Sequence, residues 1–250
     1  MADLPAQVWA TPGLGWLVLT ISLAGLVRGF TGFGTGLIFV PVAGIFLVPH
    51  TVIGVIVLTG VFAIAALIPR AWAQAKKREV GTLALAAVIT VPPGLYLLTL
   101  FDATAIRWIV AAVAGSTLAA LVSGRRFDGR VGPKGLLAIG AAAGLIGGLT
   151  GITGPVVIMF YLAGRSAVQT VRANTILFLS ALDFAILGNL LFTGSVGLYE
   201  LALAVTLAIP YFVTSLIGQS LFDPKFERLY RWAAYAVIGL AVLSGLPVWS

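Results

Sequence analysis

Apolar residues run along this chain in long blocks that hold almost no charge, with polar breaks between them. Eight blocks can be marked, at 12–48, 50–69, 80–100, 104–123, 135–164, 167–193, 197–221 and 232–248. Most of them match the roughly 20 residues a helix needs to cross a hydrocarbon core of about 30 Å. None alternates apolar and polar positions, which excludes a transmembrane β-barrel. The first and fifth blocks are interrupted. Residues 25–36 read GLVRGFTGFGTG and residues 144–155 read GLIGGLTGITGP, 119 positions later. Glycine inside a helix costs about 1 kcal/mol against alanine, so each cluster predicts that a helix stops there and restarts.

Three of the breaks are basic. Residues 70–79 hold Arg70, Lys76, Lys77 and Arg78; residues 124–134 hold Arg125, Arg126, Arg130 and Lys134; residues 222–231 hold Lys225, Arg228 and Arg231. Basic loops stay on the cytoplasmic side of a membrane. If every block crossed once, the third basic loop would fall outside. If blocks one and five each enter and leave on one side, all three loops fall inside and both termini lie outside. Residues 135–147 make a helix of about 20 Å at 1.5 Å per residue, too short for a full crossing. A re-entrant loop and two short full crossings give the same parity.

The two halves repeat. HTV at 50–52 matches QTV at 169–171, LALAAVITVP at 83–92 matches LALAVTLAIP at 201–210, and FDATAIR at 101–107 matches FDPKFER at 222–228, at shifts of 119, 118 and 121. The expected fold class is an all-α polytopic membrane protein of two inverted-topology repeats, each a broken-helix hairpin followed by three transmembrane helices. Repeat one covers 1–123, a cytoplasmic basic linker covers 124–134, and repeat two covers 135–250. Inverted repeats with interrupted helices near the midplane are the mark of secondary transporters.

Composition agrees with a membrane protein. Sixty per cent of the 250 residues are hydrophobic and 9 % charged, with a mean hydropathy of +1.10. The net charge of +7 sits mainly in the loops, so it implies no nucleic-acid partner. The chain has no cysteine, which removes disulfides, thiolate metal sites and thiol chemistry. The segment MADLPAQVWATPG carries Asp3 and no basic residue; without the basic start of a cleavable signal, the first apolar block is expected to stay. His50 is the single histidine, in a turn at a membrane edge, and Trp9, Trp16, Trp108 and Trp249 suit an interfacial belt.

Unwound backbone at membrane depth must line a cavity buried in protein or filled with water. In the first cluster Gly29, Gly32, Gly34 and Gly36 let the backbone approach a ligand, and Thr31 and Thr35 add hydroxyls. The second offers Gly148, Gly151 and Gly154 with Thr150 and Thr153, and Pro155 suits the first turn of the new helix. Restarting helices would point free N–H groups at an anion. Small-residue helix packing is the competing use of glycine, but packing alone needs no threonine beside each one. Arg28 is the candidate fixed positive charge. Arg172 is placed to line the cytoplasmic entrance, or to mark the interface. Asn174, Asp183 and Asn189 share one helix; Asn174 joins the candidate substrate contacts, and Asp183 is placed to take up a proton, to pair with an arginine, or to bond a neighbouring helix. Intramembrane ionisable residues are functional candidates by default.

These clusters resemble the paired glycine motifs of the sulfite exporter TauE/SafE family of membrane permeases. Gly25, Gly29, Gly32, Gly34, Gly36 and Pro41 match the first motif, and Gly144, Gly147, Gly148, Gly151 and Gly154 the second. Arg28 and Thr35 stand where the first motif has glycine, Thr153 and Pro155 where the second has it, and Phe160 where proline is usual. The resemblance implies outward transport of small sulfur-containing anions such as sulfite or organosulfonates. The added Arg and Thr would suit a ligand with both a sulfonate and a carboxylate.

The expectation is an exporter in the cell membrane that works by alternating access around a midplane anion site. Its partners would be a small anionic substrate and the lipid bilayer, with no cofactor and no metal, as a monomer or homodimer. The membrane potential favours outward anion movement by about 2.3 kcal/mol per charge per 100 mV, so export can run without a coupling ion. A channel, or a non-transporting scaffold or receptor, is the alternative. An intramembrane enzyme is excluded on motif grounds: there is no G-x-S-G and no H-E-x-x-H.

Overall fold

The computed structural model describes residues 3–123, 131–163, 168–221 and 227–249. The described residues are all-helical, with 88 % of them in helix and no strand among them. In chain order the helices are α1 Leu4–Trp9, α2 Leu14–Thr31, α3 Thr35–Phe46, α4 Pro49–Gln74, α5 Lys77–Leu100, α6 Ala103–Ser123, α7 Pro133–Thr150, α8 Pro155–Ala163, α9 Val168–Phe192, α10 Leu198–Ser220 and α11 Glu227–Gly245, with a short 3₁₀ turn at Pro247–Trp249. Six of these, α2, α5, α6, α7, α9 and α10, are long and apolar enough to cross a membrane. The chain is a multi-pass membrane protein.

Each interrupted block divides at its glycine cluster, the first into α2 and α3 and the fifth into α7 and α8. The helix expected at 135–147 to be too short for a crossing runs instead over Pro133–Thr150 and, like α2, is long enough to cross. The first pair folds back as a hairpin, because a side chain on Gly13, ahead of α2, would run into the ring of Phe46 at the end of α3. The basic stretch 70–79 is largely helical instead of a loop. Only Ala75 and Lys76 separate α4 from α5. Alanine, lysine, arginine and glutamine favour helix, so charge ends the apolar run without ending the helix. Residues 124–130 of the linker and 222–226 of the third basic loop, with Arg125, Arg126, Arg130 and Lys225, lie outside the described residues, as do the side chains of Arg70, Arg228 and Trp249.

Helix faces separate an interior from an apolar exterior. On α10, Leu203, Leu207 and Tyr211 are fully buried, while Val205, Ile209, Val213 and Leu216 are exposed. Exposed residues of that kind at helical spacing suit a lipid solvent. Trp9, Trp16 and Trp108 are exposed and His50 is exposed at the start of α4.

Contacts come in two matching sets. Helix α2 packs along α10 and α7 packs along α5, while α4 meets α9 and α6 meets α11. A Cβ on Gly25 would meet Thr214 and the Tyr211 carbonyl, and one on Gly144 would meet Thr90 and the Ala87 carbonyl. Gly29 sits on Ser215 as Gly148 sits on Val91, and Gly218 sits on Leu26 as Gly94 sits on Leu145. Gly115 faces Val242 and Gly239 faces Leu118. The shift between partners is 119 on α2 and α7 but 124 on α5 and α10 and on α6 and α11.

This contact register differs from the sequence match at 118, while the match at 121 falls partly on residues 222–226, outside the described residues. Ala86, rather than Pro92, lies opposite Pro210, and Arg107-Trp108 falls on Arg231-Trp232. The change enters between α9 and α10, where residues 193–197 form the connection in place of Ala75 and Lys76. Leu/Ala-rich helices match one another at several registers, so letter identity misaligned what backbone contact defines.

Candidate functional site

Both helix breaks use the same local chemistry. Gly32 ends α2 with φ of 82° and donates its N–H to the Arg28 carbonyl at 2.8 Å. Gly151 ends α7 with φ of 73° and donates to Gly147 at 2.8 Å. This left-handed turn costs a residue with a Cβ roughly 1–2 kcal/mol. The Thr31 hydroxyl lies 2.8 Å from the Val27 and Phe33 carbonyls and accepts the Phe33 N–H at 3.2 Å. The Thr150 hydroxyl donates to Ile146 at 2.7 Å and accepts the Ile152 N–H at 3.1 Å. Thr31 and Thr150 therefore spend their hydroxyls on the turns.

The helices then restart without capping side chains. Gly34, with φ of 103°, precedes α3 and provides no side-chain hydrogen bond. The first helical bond of α3 runs from Ile38 N–H to Gly34, so the N–H groups of Thr35, Gly36 and Leu37 have no acceptor within the helix. Helix α8 begins the same way, with Ile158 N–H bonded to Gly154 at 2.9 Å. The two tips touch: a Cβ on Gly36 would lie 3.2 Å from Ile152 Cα.

Both tips line one small cavity of about 30 Å³, α3 through Gly34, Thr35 and Gly36 and the α7–α8 turn through Gly151, Thr153 and Gly154. Positive helix ends therefore converge there. Arg28, Asp183, Gly60 and Tyr211 complete the walls. Arg28 is 6 % exposed and its Nε and Nη2 have no hydrogen-bond partner. A buried guanidinium with unmet donors is costly unless a ligand or solvent meets them. Asp183 is 7 % exposed, and its Oδ2 lies 3.3 Å from where Gly60 would carry a Cβ. Thr35 and Tyr211 share a hydrogen bond of 3.0 Å between their hydroxyls.

A second cavity of about 240 Å³ lies against the other side of Arg28, lined also by Gly29, Gly32, Gln74, Gln169, Arg172, Ser215 and Gln219. Arg172 Nη2 donates to the Gly29 carbonyl at 3.2 Å, so this cation serves the carbonyl end of α2. The walls include Gln74 from the end of α4 and Gln219 from the end of α10. Both precede basic stretches of the sequence.

The structure thus brings together Arg28, Gly34, Thr35, Gly36, Gly151, Thr153, Gly154 and Asp183 in the small cavity, and Arg28, Gly29, Gly32 and Arg172 in the large one. Gly148 packs against Val91 on α5. Thr150 faces a separate cavity of about 20 Å³ beside Arg107. Asn174 lines none of the three. It is fully buried, accepts the Lys76 N–H at 2.8 Å and donates to Glu79 Oε1 at 3.3 Å. It joins α9 to the start of α5, away from the small cavity. Tyr211, Gly60 and the glutamines escaped sequence reasoning; a Tyr inside the apolar run after Pro210 was the one local signal available. Among the described residues no group of three His, Cys, Asp or Glu could hold a metal.

A family described as Sulfite exporter TauE/SafE matches residues 17–245, nearly the whole chain. The chain belongs to this family. Its members are membrane transporters rather than enzymes, and the six apolar helices fit that role. No curated protein matches the chain, and no solved structure does. In this TauE/SafE protein both glycine breaks line the small cavity, the first break also lines the large one, and Arg28 is the side chain the two cavities share.

Proposed function

We propose that this TauE/SafE protein exports a small sulfur-containing oxyanion, sulfite foremost, and binds it between the tips of α3 and α8. The observation that carries this reading is Arg28, buried with two unpartnered nitrogens in the same cavity as two uncapped helix starts. Charge-assisted hydrogen bonds to an oxyanion would satisfy both. A cavity of about 30 Å³ has room for one or two water-sized groups, so even a compact oxyanion would widen it on binding. A bulkier organosulfonate would need the larger cavity or an opened site.

The matching contacts support a reading of alternating access. Repeat-related positions of Arg28 and Arg172 are Gly147 and Ile53, so one side of the breaks is polar and hollow while the other is apolar and packed. In our reading the two halves are inverted repeats, each with a re-entrant hairpin and three crossings, and the large cavity opens toward the cytoplasm. Exchange of packing between the α2–α10 and α7–α5 interfaces would turn the site outward. Both termini are then extracytoplasmic in the cell membrane.

The test is a proteoliposome flux panel of labelled sulfite, sulfate, small sulfonates and carboxylates, with counter-transport to separate a carrier from a channel. Saturable sulfite exchange in the wild type, reduced at least 100-fold in Arg28→Ala, is expected. Absence of flux for every anion, or an Arg28→Ala protein that behaves as wild type, would overturn the proposal.

A further inference from the structure

An anion site is expected to be positively charged throughout, yet this cavity has a carboxylate in its wall. Arg28 from α2 and Asp183 from α9 both line it and both are more than nine-tenths buried. A structural ion pair would close to contact and use the guanidinium nitrogens. Here Arg28 Nε and Nη2 remain unpartnered although both side chains line one cavity, so the pair has not closed to contact. Taken with an ionised Asp183, the side-chain charge of the cavity sums to zero. A deprotonated oxyanion seated against Arg28 would then meet a second negative oxygen across a space of about 30 Å³. That volume holds little beyond one or two water-sized groups, so no counter-cation fits beside the anion.

One proton resolves the conflict. Resting on the proposed anion site, we infer that each anion occupies the cavity together with a single proton, held in an O–H···O bond between an anion oxygen and the Asp183 carboxylate. The proton arrives either on the anion, as a hydrogen oxyanion, or on Asp183. Nothing is oxidised or reduced, and the same proton leaves with the anion. Transport is therefore anion–proton symport: a monoanion moves without net charge, so its export runs down its own concentration gradient and draws nothing from the membrane potential, and a dianion moves with one charge.

The surroundings of Asp183 leave it as the titrating group. From α2 it faces Arg28, and from α10 Tyr211, whose hydroxyl is bonded to Thr35. From α4 it faces Gly60 and Ile56, and from the α7–α8 turn Thr153 and Gly154. Residues 62–67 of α4 read FAIAAL and carry no titratable group. Glu79 of α5 and Tyr161 of α8 group with Asn174, nine positions earlier on α9 and about 13 Å away along a helix.

The experiment uses the intact protein in liposomes with the potential clamped to zero by valinomycin and equal potassium. Labelled sulfite and labelled sulfate are the probes; sulfite takes a proton near neutral pH and sulfate does not, so the two separate a proton brought by the anion from one brought by Asp183. Two rates are compared: exchange at equal pH, and net uptake driven by a tenfold inward proton gradient, with an internal pH dye counting protons. For the wild type we expect net uptake several-fold above that without a gradient, at about one proton per anion. In Asp183→Asn the ratio of gradient-driven sulfate uptake to sulfate exchange should fall to about one, whatever the absolute rate, since sulfate brings no proton of its own. Asp183→Glu, which keeps the carboxyl, should restore the response. Wild-type net uptake indifferent to the gradient, or a sulfate gradient response retained in Asp183→Asn, overturns the inference. Since wild-type behaviour alone decides it, a variant that fails to fold does not rescue it. Loss of wild-type exchange at equal pH strikes instead at the anion-transport reading, and the symport falls with it.

Discussion

The hydroxyls of Thr35 and Tyr211 meet at 3.0 Å, joining the first residue of α3 to the middle of α10. Thr35 belongs to the first half of the chain and Tyr211 to the second, and Tyr211 is fully buried. This contact lies in the wall of the small cavity and holds the α3 start against the neighbouring interface. A buried hydrogen bond of this kind contributes about 1 kcal/mol net.

Tyr211→Phe leaves the Thr35 hydroxyl without that partner while keeping the ring. We expect stability to fall by about 1 kcal/mol and sulfite affinity to weaken several-fold as the α3 tip loosens. Thermal unfolding and equilibrium binding on the purified protein check this. An affinity equal to wild type would remove the contact from the support of the site.

Asn174→Ala separates two roles for Asn174. It breaks the part-buried bonds to Lys76 and Glu79, at a cost of about 1–2 kcal/mol for the two together. Stability should drop by that amount while anion affinity stays near wild type. A large affinity loss with unchanged stability would return Asn174 to the substrate contacts.

Gly144→Ala pushes a methyl against the Ala87 carbonyl and the Thr90 hydroxyl, and Gly25→Ala does the same against Tyr211 and Thr214. Backbone cannot yield as a flexible side chain does. Each should destabilise by about 1–3 kcal/mol as overpacking does. Gly188→Ala, with nothing within 4 Å of the new methyl, should be neutral or slightly stabilising. Melting temperatures of the three variants give the comparison.

Topology can be read directly because the chain has no cysteine. Single cysteines introduced at Ala2 and Ser250 should both react with an impermeant external thiol reagent in intact cells. Protection of either end would break the parity on which the two hairpins rest.

Much was legible along the chain. Long uncharged blocks can only be satisfied as helices in lipid, where backbone groups must bond internally. A glycine cluster in the middle of two such blocks marked where the helices stop, because glycine takes the turn that ends a helix without steric cost. Arg28 stood out for being a charge where solvation is poor. Those conclusions depend on local chemistry alone, and sequence carries local chemistry in full.

Only the tertiary structure decided which distant groups share a space. It took Asn174 to Glu79 and away from the breaks, brought Tyr211 to Thr35, and set Asp183 in the wall opposite the α3 tip. It also set the register of α5 against α10, which similar apolar letters left several residues out. Packing selects one register because a glycine fits beneath a facing backbone only where the two surfaces interlock. That fit is a property of two helices in contact and is written in neither one alone.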